Sequence, residues 1–152
     1  MVALRRIVLA VAVVAVLAPA AHLLEMPNKL AMDGPLWVAI QHQLYRGWGP
    51  LIGAPTEIAG LTLSIVLFSR TAGDERRLWR RAFVCYAAMI GLFFAMNAPV
   101  NAVVSEWTAA APPADWTVYR WRWEGGHAAA AILSFLALFT VLRASRYGGD
   151  PR

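Results

Sequence analysis

Four apolar runs decide what this chain can become. They cover about 7–25, 51–69, 82–104 and 119–142, and a helix needs about 20 mostly apolar residues to cross a bilayer. No water is available in the bilayer core, so each run must satisfy its own backbone, which means forming a helix. The expected fold is all-α: an up-down bundle of four transmembrane helices, forming one integral membrane domain over residues 1–152. Hydrophobic residues make up 59% of the chain and charged ones 15%, too apolar for a soluble surface. A net charge of +5 raises the question of nucleic acid. The arginines fall between apolar runs and leave no soluble basic face, which excludes it. The single cysteine, Cys85, lies inside the third run. It can form no intramolecular disulfide and carries no information about compartment.

The connections follow from breakers and charge. A basic head, 1–6, precedes the first run. That head, the apolar centre and Ala18-Pro19-Ala20 also have the form of a cleavable leader. A retained span is preferred, because the run continues through Leu24 and ends on polar residues. Residues 26–50 read as a connection broken at Pro27, Gly34, Pro35, Gly47, Gly49 and Pro50. Within it, 36–45 is expected to form a short interfacial helix, with Trp37, Tyr45 and Trp48 at headgroup depth. Residues 70–81 read as a polar loop and 105–119 as a second connection. Asn97-Ala98-Pro99-Val100-Asn101 interrupts the third run, where proline should kink the helix.

Orientation comes from lysine and arginine. Ten of the 14 lie in the head, the 70–81 segment and the basic tail, 143–152; Lys29, Arg46, Arg120 and Arg122 lie on the other side. The positive-inside rule then puts both termini in the cytoplasm. Six of the seven tryptophans fall on the opposite side, leaving Trp79.

Polar residues recur at one depth. His22 lies fifteen residues past Ile7, Asn97 fifteen past Ala82 and His127 fifteen before Leu142. At 1.5 Å rise per residue, all three stand roughly 22 Å from the arginine-rich boundary. Glu25, Asn101 and Glu124 lie three or four residues further out, and Glu57 falls in the same layer. Such side chains are costly in lipid and normally face a bundle interior.

Glu124-x-x-His127 has the spacing that helix bundles use to hold metals, and His22-x-x-Glu25 is its reversal. The candidate metal ligands are His22, Glu25, Glu57, Glu124 and His127, holding iron or another transition metal. His22, Glu124 and His127 are the candidate catalytic groups. Asn97 and Asn101 are candidates to orient a cofactor or its ligands. Each group also has a structural reading. The asparagines can bridge helices or re-satisfy carbonyls freed by Pro99. Glu25 and Glu124 can pair with Lys29, Arg120 or Arg122. Glu57 can favour the positive end of its helix. Gly125 and Gly126 can allow close helix packing. The tryptophans read as interfacial anchors before they read as a substrate cage, and His42 reads as a surface residue.

His22-Leu23-Leu24-Glu25-Met26-Pro27-Asn28-Lys29, Tyr45-Arg46-Gly47-Trp48, Glu57, the 97–101 segment and Trp116 through Trp123-Glu124 to His127 together resemble a family of small bacterial integral membrane proteins. These are grouped with the anthrone oxygenase-like proteins. The resemblance spans most of the chain and implies a four-helix domain of the bacterial inner membrane. Some relatives oxidise polyketide anthrones to anthraquinones with molecular oxygen. The function expected is therefore a membrane oxygenase or oxidoreductase acting on a lipophilic aromatic or quinol-like small molecule. The alternative is a non-enzymatic module that binds membrane lipid or a partner protein; the oligomeric state is left open. If the orientation holds, a reporter active only in the cytoplasm works when inserted at 70–81 and fails at 26–50 or 109–114. Activity at the latter sites would invert the topology.

Overall fold

Small residues set the packing of the bundle. Lipid tails are as apolar as leucine, so helices in a bilayer associate through close van der Waals contact rather than escape from water. The computed structural model describes residues 1–147. In it small residues recur among the buried positions of the first and last helices: Ala12 and Ala15 on one, Gly126, Ala131, Ser134, Ala137 and Ala144 on the other.

The helices are α1 (Val2–Ala31), α2 (Gly34–Gln43), α3 (Ala54–Arg70), α4 (Gly73–Leu92), α5 (Ala98–Val104) and α6 (Trp116–Arg146). A π-helical turn, Gly49–Gly53, leads into α3, and a second, Phe93–Asn97, joins α4 to α5. Among the described residues there is no strand. Four continuous stretches are long and apolar enough to cross a membrane: Val2–Ala31, Gly49–Arg70, Gly73–Val104 and Trp116–Arg146. α1 packs on α3, α3 on α4, α4 on α6, and α6 back on α1. Each span therefore touches its chain neighbours, and the last closes the ring on the first.

The two ends of the ring differ. At the arginine-rich end Leu67, Leu78, Trp79 and Val141 form a buried cluster with Val8. Arg5 pairs with Glu75 at 2.7 Å, and the Trp79 indole donates to the same carboxylate. At the tryptophan-rich end Trp37, Val38, Val100, Val104 and Trp123 are packed together. This lays α2 across the bundle as a roof. Asp33 caps α2 by accepting from the Leu36 amide, a common way to satisfy an orphan N–H in a first turn. Gly34 sits so close to Pro112 that an added Cβ would stand 2.8 Å from its ring.

Three connections differ from the sequence reading. α1 does not stop at residue 25 but runs through Pro19 and Pro27 to Ala31. A proline costs its helix one hydrogen bond, and the last turn is held from outside: Arg120 donates to the carbonyls of Lys29 and Met32. The polar loop expected over 70–81 is mostly helix, since α4 starts at Gly73. There Leu78, Trp79 and Ala82 are buried while the arginines Arg76, Arg77, Arg80 and Arg81 are exposed. That is an amphipathic period, with Asp74 and Glu75 in the dipole-favoured first turn. The interfacial helix is present but shifted, to Gly34–Gln43. Arg143 and Arg146 of the basic tail belong to α6; Arg152 lies outside the described residues.

Pro99 does not break the third span. Its missing N–H leaves the carbonyl of Ala95, four residues back, without its usual donor. Arg122 donates to that oxygen at 2.6 Å, and the helix widens into the π turn just before the proline.

Two glycines offer a paired test. An added Cβ at Gly60 would lie 2.5 Å from the Tyr86 ring, whereas one at Gly91 would meet nothing within 4 Å. Gly91→Ala should gain helix propensity, about 0.8–1 kcal/mol. Gly60→Ala should instead lose stability through overpacking, by about 1–3 kcal/mol. Thermal unfolding in mild detergent should move the two midpoints in opposite directions.

Candidate functional site

Below the roof lies a cavity of about 910 Å³, within the span of about 300–1,000 Å³ typical of small-molecule sites. Every spanning stretch contributes to its wall. His22 comes from α1, Glu57 from α3, Asn97 and Asn101 from the third span, and Trp123 and His127 from α6. Tyr45 and Trp48 close it from the segment after α2.

Two imidazoles meet in this wall. α1 and α6 run in opposite directions, so the reversed His-Glu order places His22 and His127 together. Their ring centroids are 4.2 Å apart with planes inclined by 34°. Trp123 presents an edge contact to both, at 4.9 Å from His22 and 4.1 Å from His127. Tyr45 and Trp48 also pack on His22, at 4.6 and 5.7 Å.

Next to the imidazoles is an ion pair. Lys29 Nζ stands 2.8 Å from Glu124 Oε2, with the two side chains 1% and 0% exposed. The same Nζ lies 3.4 Å from His22 Nδ1 and 4.8 Å from the Trp123 ring. An ammonium has only donors to offer. A neutral His22 therefore accepts from Lys29 at Nδ1 and carries its own proton on Nε2. Lys29 occupies this place because α1 continues past Pro27. His22, Glu25 and Lys29 then fall at i, i+3 and i+7, one helix face.

Glu25 and the two asparagines have partners of their own. Glu25 accepts from the Tyr45 hydroxyl and lies 3.9 Å from His22 Nδ1. Burial, followed by that hydrogen bond and the negative charge of Glu25, pushes the Tyr45 phenol well above its ordinary range. Asn97 donates to the Trp123 carbonyl at 2.9 Å, and the Trp123 indole donates to Asn101 Oδ1 at 2.9 Å. The asparagines thus bridge two spans and fix Trp123, which in turn packs on both histidines. Gly126 is required by this arrangement, because a Cβ there would collide with the Asn97 carboxamide. Glu57 lines the cavity from the first turn of α3.

These contacts bear on metal binding. The spacing predicts His22, Glu25, Glu57, Glu124 and His127 as one donor set. In the structure Glu124 is turned to Lys29 and Glu25 to Tyr45. The imidazoles pack ring against ring, with their planes inclined by 34°. Among the described residues no three His, Cys, Asp or Glu side chains are grouped as metal ligands. A lysine ammonium also stands at His22 Nδ1, and its charge opposes a second cation there.

Several wall residues were not expected from sequence. His42 is not a surface residue: it lines the cavity and its Nε2 lies 2.8 Å from the Val104 carbonyl. Trp37 and Trp123 are 0% and 3% exposed and form part of the cavity wall, whereas Trp121 is exposed. For Lys29 the signal was the i+7 spacing from His22, hidden by reading Pro27 as a stop.

No protein-family model, curated protein or solved structure matches the chain. Fold and cavity together define a class: a membrane-spanning four-helix protein with a small-molecule-sized pocket at one end.

The ion pair makes a sharp stability prediction. Lys29→Met leaves Glu124 buried without its counterion, which typically costs about 3–5 kcal/mol. Adding Glu124→Leu removes the orphaned charge and should recover most of that loss. Denaturant titration in detergent micelles reads both; equal instability of the single and double variants would mean that the charges are not coupled.

Proposed function

We propose that the cavity is the active site of a membrane oxygenase or oxidoreductase that acts on a lipophilic aromatic or quinol-like substrate. The observation that carries this reading is the pair of adjacent imidazoles in an aromatic wall, one of them with its Nδ1 engaged by a buried ammonium. It agrees with the resemblance to anthrone oxygenase-like proteins, and its chemistry needs only groups of this chain.

The two histidines take different roles. His22, with its proton on Nε2, is a donor to a substrate carbonyl oxygen. His127 is the base. A substrate of the anthrone type carries an acidic CH2 conjugated to a carbonyl. His127 accepts a proton from that carbon, and the electron pair delocalises onto the oxygen held by His22. The carbanion reduces molecular oxygen: a C–O bond forms, and the proton returns to give a hydroperoxide. Loss of water leaves a new carbonyl. The balance is CH2 plus O2 giving C=O plus H2O. The apolar wall keeps bulk water from the carbanion, and Trp123, held by Asn97 and Asn101, orients both rings.

Oxygen uptake by the purified protein in nanodiscs, with anthrone as substrate, tests this. Removing a general base typically costs about 10²–10⁴-fold in rate, so His127→Ala should lose activity on that scale. His22→Ala should also lose activity, and the double variant should add little, because residues of one unit are non-additive. Binding of anthrone without oxygen uptake would favour the non-enzymatic module. Iron or another transition metal at one per chain, lost from both histidine variants, would replace this mechanism with a metal-dependent one.

A further inference from the structure

The cavity is open at its side. Ala54 and Ile58 of α3 and Phe93 and Phe94 of the second π turn line it, yet Ile58 is 57% and Phe94 67% exposed. α3 packs extensively on α4, but neither α3 nor the π turn before it packs in that way on Phe93–Asn97 or α5. The second and third spans thus touch toward the arginine-rich end and part toward the tryptophan-rich end. Both π turns border the gap. Ile58 lies nine residues in from Gly49, and Phe94 ten residues in from Val104. At 1.5 Å per residue these are depths of about 13–15 Å, roughly half of a 30 Å hydrocarbon core. The gap therefore runs from the end of the spans to near the middle of a bilayer.

Its walls change character along that path. At the shallow end Arg46, Asn101 and Ser105 line the cavity and are exposed. Gln41 lines it too, and its Nε2 is buried with no hydrogen-bond partner. At depth the lining is Ile58, Ile90, Phe93 and Phe94, with Glu57 the one carboxylate beside them. A buried amide N–H without an acceptor is unfavourable, and an acceptor brought by a ligand removes that cost.

We infer that this cleft takes an amphiphile sideways out of the adjoining lipid leaflet. Its acceptor-bearing head sits among Gln41, Arg46 and Asn101, and its apolar body lies between Ile58 and Phe94. The inference deepens the function proposed above by naming the form of the ligand and its route. It rests on that cavity being the ligand site, but it requires no turnover.

The probe is a palmitate carrying a diazirine at mid-chain, incorporated into phosphatidylcholine nanodiscs with the full chain and cross-linked by light. Peptide mass spectrometry should find the label concentrated on Ile58, Phe93 and Phe94. Excess oleate should compete it away, whereas hexadecane, which has no head, should not. Arg46→Gln should weaken oleate competition several-fold. Gly53→Leu should plug the cleft and cut labelling at least fivefold; a Cβ there meets nothing nearer than 3.9 Å, so the side chain has room. If that variant does not fold, Ala54→Phe serves as the plug. Gly91→Leu, on a lipid-facing position outside the cleft, should leave labelling unchanged. Label spread evenly over exposed positions such as Leu17, Val84 and Phe139, without competition, would overturn the inference. So would labelling indifferent to both plugs, as for a cleft that a second helix occupies. Specific labelling with no oxygen uptake would count against the oxygenase alone; anthrone oxidation without specific labelling would count against the lateral cleft alone.

Discussion

Lys29 and Glu124 meet at 2.8 Å where neither side chain is more than 1% exposed. Removing two charges from water costs several kcal/mol per ion, and mutual attraction offsets this only when other groups complete the solvation. The surrounding architecture supplies such groups on the lysine side, while Glu124 has Lys29 as its close partner. Lys29 finds His22 Nδ1 and the faces of Trp123 and Tyr45; such cation–π contacts are worth about 2 kcal/mol when desolvated. Arg120, one turn before Glu124, ties the last carbonyls of α1 to α6. The ion pair thereby links the last turn of α1, the Nδ1 of His22 and the ring of Trp123. An apolar pair would hold α1 to α6 as firmly. It would fix none of the polar geometry on the cavity wall.

The second constraint is the widening of two helices. A π turn inserts one residue into a helical path and is frequently found at functional sites. Here both line the same cavity. Gly49 and Gly53 leave two of the five positions of the first without a side chain, and Gly49 has nothing within 4 Å of where a Cβ would be. The second directs Asn97 inward to Trp123 while Phe93 and Phe94 stay exposed. The bundle is close-packed through alanine at the arginine-rich end and held apart at the tryptophan-rich end. The volume of the pocket is the consequence of that difference.

The spans are legible in the sequence because apolar length and backbone satisfaction leave one solution. The meeting of His22 and His127 is also legible, from counting residues along antiparallel helices at constant rise. The partner of each carboxylate is not. Glu25, Glu57 and Glu124 look equivalent as letters, but their choices depend on Tyr45, on an open cavity and on Lys29, which tertiary packing alone brings into range. Prolines mislead for a related reason. Pro27 and Pro99 read as breaks because local propensity is counted without the Arg120 and Arg122 side chains that satisfy nearby carbonyls. The tryptophans mislead because an amphipathic ring suits both a headgroup belt and a cavity wall. Only burial separates Trp123 from Trp121.

Burial also separates two kinds of polar residue at the tryptophan-rich end. Glu124, Lys29 and His22 are closed off from the surroundings, at 1%, 1% and 4% exposure. Asn101, Ser105 and Arg46 are exposed along the cleft. The buried set answers to its own electrostatics and is rigid by necessity, since any one member left alone is costly. The exposed set has water or a ligand to satisfy it and can accommodate different heads. In the function proposed above, His22 of the first set holds the substrate oxygen and the second set admits the ligand. Trp123, bonded to Asn101 and packed on both imidazoles, is the residue through which the two sets touch. On the proposed function, a ligand seated against Asn101 stands one hydrogen bond from Trp123, whose ring packs on both imidazoles.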